Sequence, residues 1–348
     1  MQVAMLTRAL VAQQGCDLHY VTRRAGDGYK PQGYTLHLVN AKRMVAGTLL
    51  PDLPSLLSVL KRLQPDVIYQ RVACAYTGAA AWYAKSQRRR MVWHVSSDRD
   101  LTPVPWKLSL RTPLEQISKR MVTYGARHAE KVIVQNAAQV DLLKRLHGRG
   151  DGLHIPNFHD VPEAFAPKSR ERLTVCWVGN IKALKQPEIF LRLARDLSTR
   201  SNVEFVMVGM PQMAEREWQK VEADIRAVPN LKFLGQIPNT AVNELLTRAH
   251  LLVNTSTVEG FPNTFIQSWL REVPTLSLNV NPDGLLDGVR CGAYAQGSYE
   301  NLRKSLEQLL DDTSLREAMG QRAGAYARDH FSEKNLGMLM RAIIQPAA

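Results

Sequence analysis

The chain has 348 residues, 45% of them apolar and 22% charged, which is enough for two domains and a sizeable core. No run approaches the roughly 18 uninterrupted apolar residues of a membrane span, and no charged start leads into an apolar stretch, so a cytoplasmic protein is expected. The net charge of +13 sits mainly in the first half, where residues 1–166 hold 23 Lys/Arg against 12 Asp/Glu, a balance of +11, while residues 167–348 hold +2.

The first 14 residues have the apolar period of an amphipathic helix. Strand patterns follow at 17–22 and 35–39, then a helix over 53–63, a strand over 67–70, a helix over 77–87 and a strand over 91–96. A long helix over 109–129 leads to a strand at 131–134 and a helix over 138–146. Residues 155–172, rich in Pro and charge, read as the connection between domains. From Leu173 the alternation is regular: strands at 173–178, 203–208, 231–234 and 250–254 are separated by helices over 187–200, 214–227 and 241–249, and a further helix runs from Asn263 to Arg271. Residues 332–343 read as a terminal helix. Short apolar strands between helices of about 10 to 15 residues imply parallel sheets covered on both faces. The fold class is therefore α/β, with two Rossmann-like doubly wound domains over 1–165 and 166–330 and a terminal helix over 331–348. The chain opens on a helix where such a domain opens on its innermost strand, so the N-terminal domain is expected to lack its first strand and part of a cleft wall.

Glu259-Gly-Phe-Pro-Asn-Thr-Phe-Ile, followed by Gln267, is a polar loop running from the end of a buried strand into a helix start with Pro262 and Asn263. A strand end feeding a helix N-terminus presents free backbone N–H groups and a positive dipole end, which suits a phosphate. Cys16, Cys74, Cys176 and Cys291 lie 58, 102 and 115 positions apart, giving neither a C-x-x-C pair nor a disulfide framework. Asp98-Arg-Asp100 spells D-x-D, but aspartates commonly end strands or cap turns, and no metal is expected. The basic first half admits an anionic acceptor, an acidic membrane face or a plain solvated surface. Nucleic acid is not expected, because no helix-turn-helix, RNP or zinc-finger pattern is present.

Trp177-Val-Gly-Asn-Ile with Lys185, then Phe233-Leu-Gly, then Glu259 to Gln267, resemble the GT-B glycosyltransferases of family 4, the retaining group 1 transferases that use nucleotide-diphosphate sugars. The likeness covers essentially the whole chain and is densest over 173–280. It implies two domains facing a central cleft, a UDP- or GDP-sugar donor, a polysaccharide or glycolipid acceptor, and no cofactor beyond the donor substrate, while the basic N-terminal half admits peripheral contact with the anionic inner face of a membrane. Family members commonly carry E-x7-E and Gly-Arg-(x)4-Lys. This sequence keeps Glu259 and Lys185. Gln267 replaces the second Glu, which is expected to bond the ribose hydroxyls; an amide can accept one such bond and donate another, without an ionised oxygen. Asn180 replaces the phosphate-binding Arg, leaving Lys182 and Lys185 to neutralise the diphosphate as point charges.

The resemblance assigns donor binding to Gly179, Asn180, Lys182, Lys185, Gly235, Gly260, Phe261, Pro262, Asn263, Thr264 and Gln267, and catalysis to Glu259, Lys185 and His94. Departure of a nucleoside diphosphate puts negative charge on the leaving oxygen and oxocarbenium character on the anomeric carbon. Lys185 and the amides of Asn263 to Phe265 suit the first, and Glu259 suits the sugar hydroxyls. A lysine facing solvent at a helix N-terminus would oppose the macrodipole, which favours the phosphate reading of Lys185. In the strand 91–96, His94 and Ser96 share a face, and either can take the donor-sugar contact that the family places there. Arg71, just past the strand 67–70, sits at another strand end where it could meet an anionic acceptor, but it reads first as a solvated loop arginine. Ile155-Pro-Asn157 resembles the family's I-P-N-G turn with Phe158 in place of Gly, so either the turn type differs or a strained positive φ is tolerated. A nucleotide-sugar 2-epimerase and a noncatalytic nucleotide-sugar-binding protein remain the alternatives.

Overall fold

In a computed structural model the chain forms two compact units, one of residues 1–157 with 334–348 and the other of residues 158–333. The structure describes residues 2–13, 15–26, 28–39, 48–102, 112–162 and 168–346. The expected helix positions 1, 14 and 109–111, and residues 163–167 of the expected connection, lie outside the described residues. Among the described residues no helix is long and apolar enough to cross a membrane.

The first unit opens with the helix Gln2–Ala12, followed by strands β1 (His19–Thr22) and β2 (Thr35–Leu38), which pair in parallel. Strands β3 (Val67–Arg71), β4 (Arg90–His94), β5 (Lys131–Val134) and β6 (Leu153–His154) form a second parallel sheet in that order. Among the described residues no strand joins the two sheets. They share a core instead: Val21 of β1 and Ile68 of β3 pack on one apolar cluster with Leu56, Val59 and Leu60 of the helix Leu53–Leu63 and Ala79 and Tyr83 of the helix Ala75–Ser86.

The helix Ala75–Ser86 crosses the helix Thr112–His128 at two glycines. A Cβ on Gly78 would stand 2.5 Å from the Met121 carbonyl oxygen, and one on Gly125 would stand 2.7 Å from that of Thr77. The final helix, Glu333–Ile344, ends against β4 and β5, because Arg90 Nη1 donates to the Ile344 carbonyl at 2.8 Å and Lys131 Nζ to that of Gln345 at 2.7 Å. Cations thus satisfy carbonyls that a helix C-terminus leaves open. The expected strand 91–96 stops at His94, since the Ser96 amide donates to Asp100 Oδ2 at 2.8 Å and turns the chain into the short helix Asp98–Leu101. Phe158 is buried and does not adopt a positive φ, so the turn after Asn157 avoids the strain a glycine-type conformation would impose.

The second unit is a six-stranded parallel sheet, built from β7 (Leu173–Val178), β8 (Val203–Val208), β9 (Leu231–Phe233), β10 (Leu251–Asn254), β11 (Thr275–Ser277) and β12 (Gly292–Tyr294). Across the sheet the order is β12-β11-β10-β7-β8-β9. Side chains alternate between two cores. Val175, Trp177, Phe205 and Met207 pack with Phe190 on one face, and Cys176, Val206 and Leu252 pack with Phe265 and Trp269 on the other. Burial on both faces is why these strands read as continuous apolar runs. The order reverses between β7 and β10, and in an open α/β sheet ligands bind beyond the strand carboxyl ends at that point.

Replacing Gly78 by Ala should separate the two helices and lower stability by about 1–3 kcal/mol, the usual cost of overpacking. Gly26→Ala, with nothing within 4 Å of its new Cβ, is the control. Thermal melts followed by circular dichroism compare the two; an unchanged midpoint for Gly78→Ala would show the helices to be looser than described.

Candidate functional site

Because β7 and β10 are hydrogen-bonded neighbours, the loops that leave their carboxyl ends run side by side. Several bonds tie them. Thr255 Oγ1 donates to the Lys185 carbonyl at 2.6 Å and accepts from Trp177 Nε1 at 2.9 Å, while the Thr257 amide donates to the Leu184 carbonyl at 2.9 Å. Lys185 closes a single-turn 3-10 helix, Ala183–Lys185, and its ammonium forms an ion pair with Glu259 Oε1. Ser256 Oγ donates to the same carboxylate oxygen at 2.8 Å. The side chains of Lys185 and Glu259 are 18% and 20% exposed, so the pair is partly desolvated yet reachable from solvent. Two residues that are 74 positions apart in sequence thus meet at the reversal point.

Of the donor-site candidates of the second unit, Gly179 lies against Lys185 and Gly260 follows Glu259 in the chain. The aliphatic stem of Lys185 passes over Gly179, whose Cβ position lies 3.8 Å from Lys185 Cε. The Gly179 carbonyl abuts Gly209 so closely that Gly209 could not carry a side chain without moving it. Asn180 is exposed and Lys182 half-buried. Gly235 takes a left-handed φ of 64°, which favours glycine. Gly260, Phe261 and Pro262 are buried, and Asn263 and Thr264 are half-buried at the start of the helix Asn263–Trp269. His159, whose burial pushes its pKa down to about 4, faces Asn263 Oδ1 through Nε2 at 3.3 Å and is neutral near pH 7.

Two expectations about donors change. The Phe265 amide is occupied by the Pro262 carbonyl at 3.1 Å and is not free for a phosphate. Gln267 is buried, and its amide nitrogen donates to Asn239 Oδ1 at 3.0 Å and Asn243 Oδ1 at 2.8 Å. Both of its N–H groups are therefore taken, and only its carbonyl oxygen is left to meet a ribose, as acceptor and not as donor.

The candidates of the first unit lie at the ends of β3 and β4. His94 is 2% exposed, with Nδ1 2.7 Å from the Tyr69 hydroxyl. Burial first, and then the Arg71 charge, hold the His94 pKa well below the usual value, so the imidazole is neutral. Its Nε2 is sealed from solvent, and a direct hydrogen bond to a substrate requires its surroundings to open. Ser96 Oγ donates to Asp100 Oδ2 at 2.8 Å, and Asp98 Oδ1 accepts from Gln139 Nε2 at 3.0 Å. The D-x-D carboxylates thus fix the end of β4. Arg71 corrects its sequence reading: it is the last residue of β3, half-buried, with Nη2 donating to Asn157 Oδ1 at 3.0 Å.

Sequence reasoning missed Thr255, Ser256 and Thr257, although three consecutive hydroxyl residues after an apolar strand were a visible signal. It also missed Asn239 and Asn243. Their i,i+4 spacing puts them on one helix face, but nothing in sequence says that this face meets Gln267.

Residues 162–325 match the family described as glycosyl transferases group 1, and residues 1–157 match the glycosyl transferase 4-like domain. A capsular polysaccharide biosynthesis glycosyltransferase, CapM of Staphylococcus aureus, is 22% identical, with 92% of this chain and 88% of that protein covered. Among solved structures, WaaG, a glycosyltransferase involved in lipopolysaccharide biosynthesis, superposes with a TM-score of 0.79 at 15% identity, covering 98% of this chain and 95% of that one. HepE of Anabaena, crystallised with UDP and glucose, superposes with a TM-score of 0.70 at 18% identity, covering 88% of this chain and 85% of that one.

Thr255→Val keeps the shape of the side chain and strands the buried Trp177 indole N–H. Chemical denaturation should register a loss of about 1–3 kcal/mol, the cost of an unsatisfied buried donor. Thr257→Val, at an exposed position, should stay within about 0.5 kcal/mol of the unaltered protein. Equal stabilities for the two variants would refute the role given to Thr255.

Proposed function

We propose a retaining hexosyl transfer for this chain, which belongs to the group 1 glycosyl transferases of the GT-B, family 4 type. The donor in this reading is a UDP- or GDP-sugar, and the acceptor a growing polysaccharide or a glycolipid. The observation that carries it is the Lys185–Glu259 pair at the reversal point between β7 and β10.

In the proposed reaction the bond from the anomeric carbon to the diphosphate oxygen breaks, the acceptor hydroxyl oxygen bonds to the same face of the sugar, and the hydroxyl proton passes to the departing diphosphate. Negative charge grows on the departing diphosphate while the ring flattens. Lys185 is preorganised by the Thr255 and Thr257 bonds to its loop, so its ammonium meets that charge with little reorganisation. When phosphate arrives, the ammonium exchanges a carboxylate neighbour for a phosphate one, and Glu259 becomes available to the sugar hydroxyls. Lys182, with its exposed neighbour Asn180, completes the cationic side in place of an arginine fork. Gln267 bonds the ribose through its carbonyl oxygen. In this scheme the lysines and backbone donors neutralise the leaving group, and no metal is required. HepE binds UDP and glucose, which supports a uridine nucleotide. The excess of +11 in residues 1–166 supports an acceptor that is anionic or displayed on an anionic membrane face.

Thermal-shift measurements with UDP, GDP, ADP and their sugars in the presence of EDTA test the donor. One nucleoside diphosphate should raise the midpoint, since a ligand at about 100 times its Kd adds about 2.7 kcal/mol. Lys185→Ala should weaken that ligand by about tenfold or more, as loss of a charge-assisted contact does. NMR of the glycoside formed should show the anomeric configuration of the donor; an inverted product would rule out retention.

A further inference from the structure

Arg71 is a cation that the first unit builds in without neutralising. It ends β3, directly beside His94, its register partner at the end of β4. Tyr69, two residues earlier on the same face of β3, bonds His94 Nδ1. The Arg71 guanidinium rests beside the Tyr69 hydroxyl and works against the burial that raises the Tyr69 pKa to about 12. Asn157 Oδ1 accepts from Nη2, and Nη1 is buried with no hydrogen-bond partner. Among the described residues no Asp or Glu forms an ion pair with Arg71, and its neutral neighbours add no negative charge. Removing a guanidinium nitrogen from water without a partner is costly. The next residue adds a second cost: Val72 is held at φ 73°, a left-handed conformation that strains a β-branched side chain, with its amide bonded to the His94 carbonyl at 3.2 Å. Val72 is 49% exposed, so no core packing explains the strain. Strain of this kind is concentrated at ligand-binding sites.

We propose that Arg71 binds an oxyanion carried by the acceptor, a carboxylate or a phosphate, at the carboxyl ends of β3 and β4. This rests on the glycosyltransferase reading and adds to it a charge requirement on the acceptor. The guanidinium fork matches the two oxygens of either group, and Nη1, sealed from solvent like His94 Nε2, meets the anion once its surroundings open. Tyr69, His94 and Asn157 hold the fork, and the neutral state of His94 leaves Arg71 as the cation that recognises the anion. The reversal point of the other unit supplies the donor contacts, so the two ligands are read by different residues.

Binding is measured on the full chain by saturation-transfer NMR and thermal shift, with glucose, glucuronate and glucose 6-phosphate as probes and UDP in a parallel titration. Glucuronate or glucose 6-phosphate should bind and glucose should bind roughly 10- to 100-fold more weakly, the factor expected for one charge-assisted contact. The stronger of the two anions identifies the group. Arg71→Gln should remove the preference, and Arg71→Lys should keep part of it, since lysine retains the charge and loses the fork. Equal binding of glucose and both anions to the unaltered protein overturns the inference without needing any variant to fold, as does an anion preference that survives in Arg71→Gln. If UDP binds and the anions do not, only this inference fails. If UDP itself does not bind, the donor reading on which it stands fails.

Discussion

The second unit depends on one constraint: β7 and β10 are adjacent in the sheet although about 75 residues of chain separate them, and the helices that follow them pack on opposite faces of the sheet. A groove at the strand ends follows from the topology. What makes it a defined site is the set of bonds across it. Thr255 holds the Lys185 carbonyl and the Trp177 indole at once, and Thr257 holds the Leu184 carbonyl, so the short turn carrying Lys185 cannot drift from the loop carrying Glu259. Trp177 is in turn packed into the core with Phe190, which couples the site to the interior of its unit.

Electrostatics explains why such a pair is useful. A lone half-buried lysine would bear an uncompensated desolvation cost, and Glu259 offsets it while the site is empty. In the proposed reaction a diphosphate, with more negative charge than one carboxylate, replaces Glu259 beside the ammonium. Ser256 Oγ donates to the same carboxylate and so gives it a second partner besides the ammonium. Arg71 in the first unit has, among the described residues, no carboxylate paired with it, which sets it apart from Lys185.

Substitution of an acidic residue by Gln267 is accommodated locally rather than by any global change. Its two amide protons are matched by the Asn239 and Asn243 side-chain oxygens, so three neutral amides occupy a buried position where a carboxylate would add charge. Arg271, one turn later, donates from Nη1 to the Gln267 main-chain carbonyl and caps the end of the helix, leaving the side-chain oxygen of Gln267 out of this bond. The surrounding core of Phe265, Ile266 and Trp269 is apolar, and neutrality there avoids a desolvation cost.

Local pattern alone determined the order and type of most elements, because a strand buried on both faces and a helix with one apolar stripe leave unmistakable runs: 173–178, 203–208 and 131–134 stand where their residues placed them. It also singled out the loop that begins at Glu259, whose neighbours Gly-Phe-Pro-Asn lead into a helix start, while Lys185 entered through the resemblance to the family. Beyond Arg271 the strands of three residues at Thr275–Ser277 and Gly292–Tyr294 were too short to show a period, and the helices Tyr299–Asp311 and Thr313–His330 were not anticipated. Tertiary structure alone decided which polar groups are already occupied. Whether the Phe265 amide is free, whether Gln267 can donate, whether Asp98 and Asp100 hold an ion or a turn, and whether Arg71 is solvated all depend on partners distant in the chain. A hydrogen bond has a range of about 3 Å, and only the packed fold brings such partners within it.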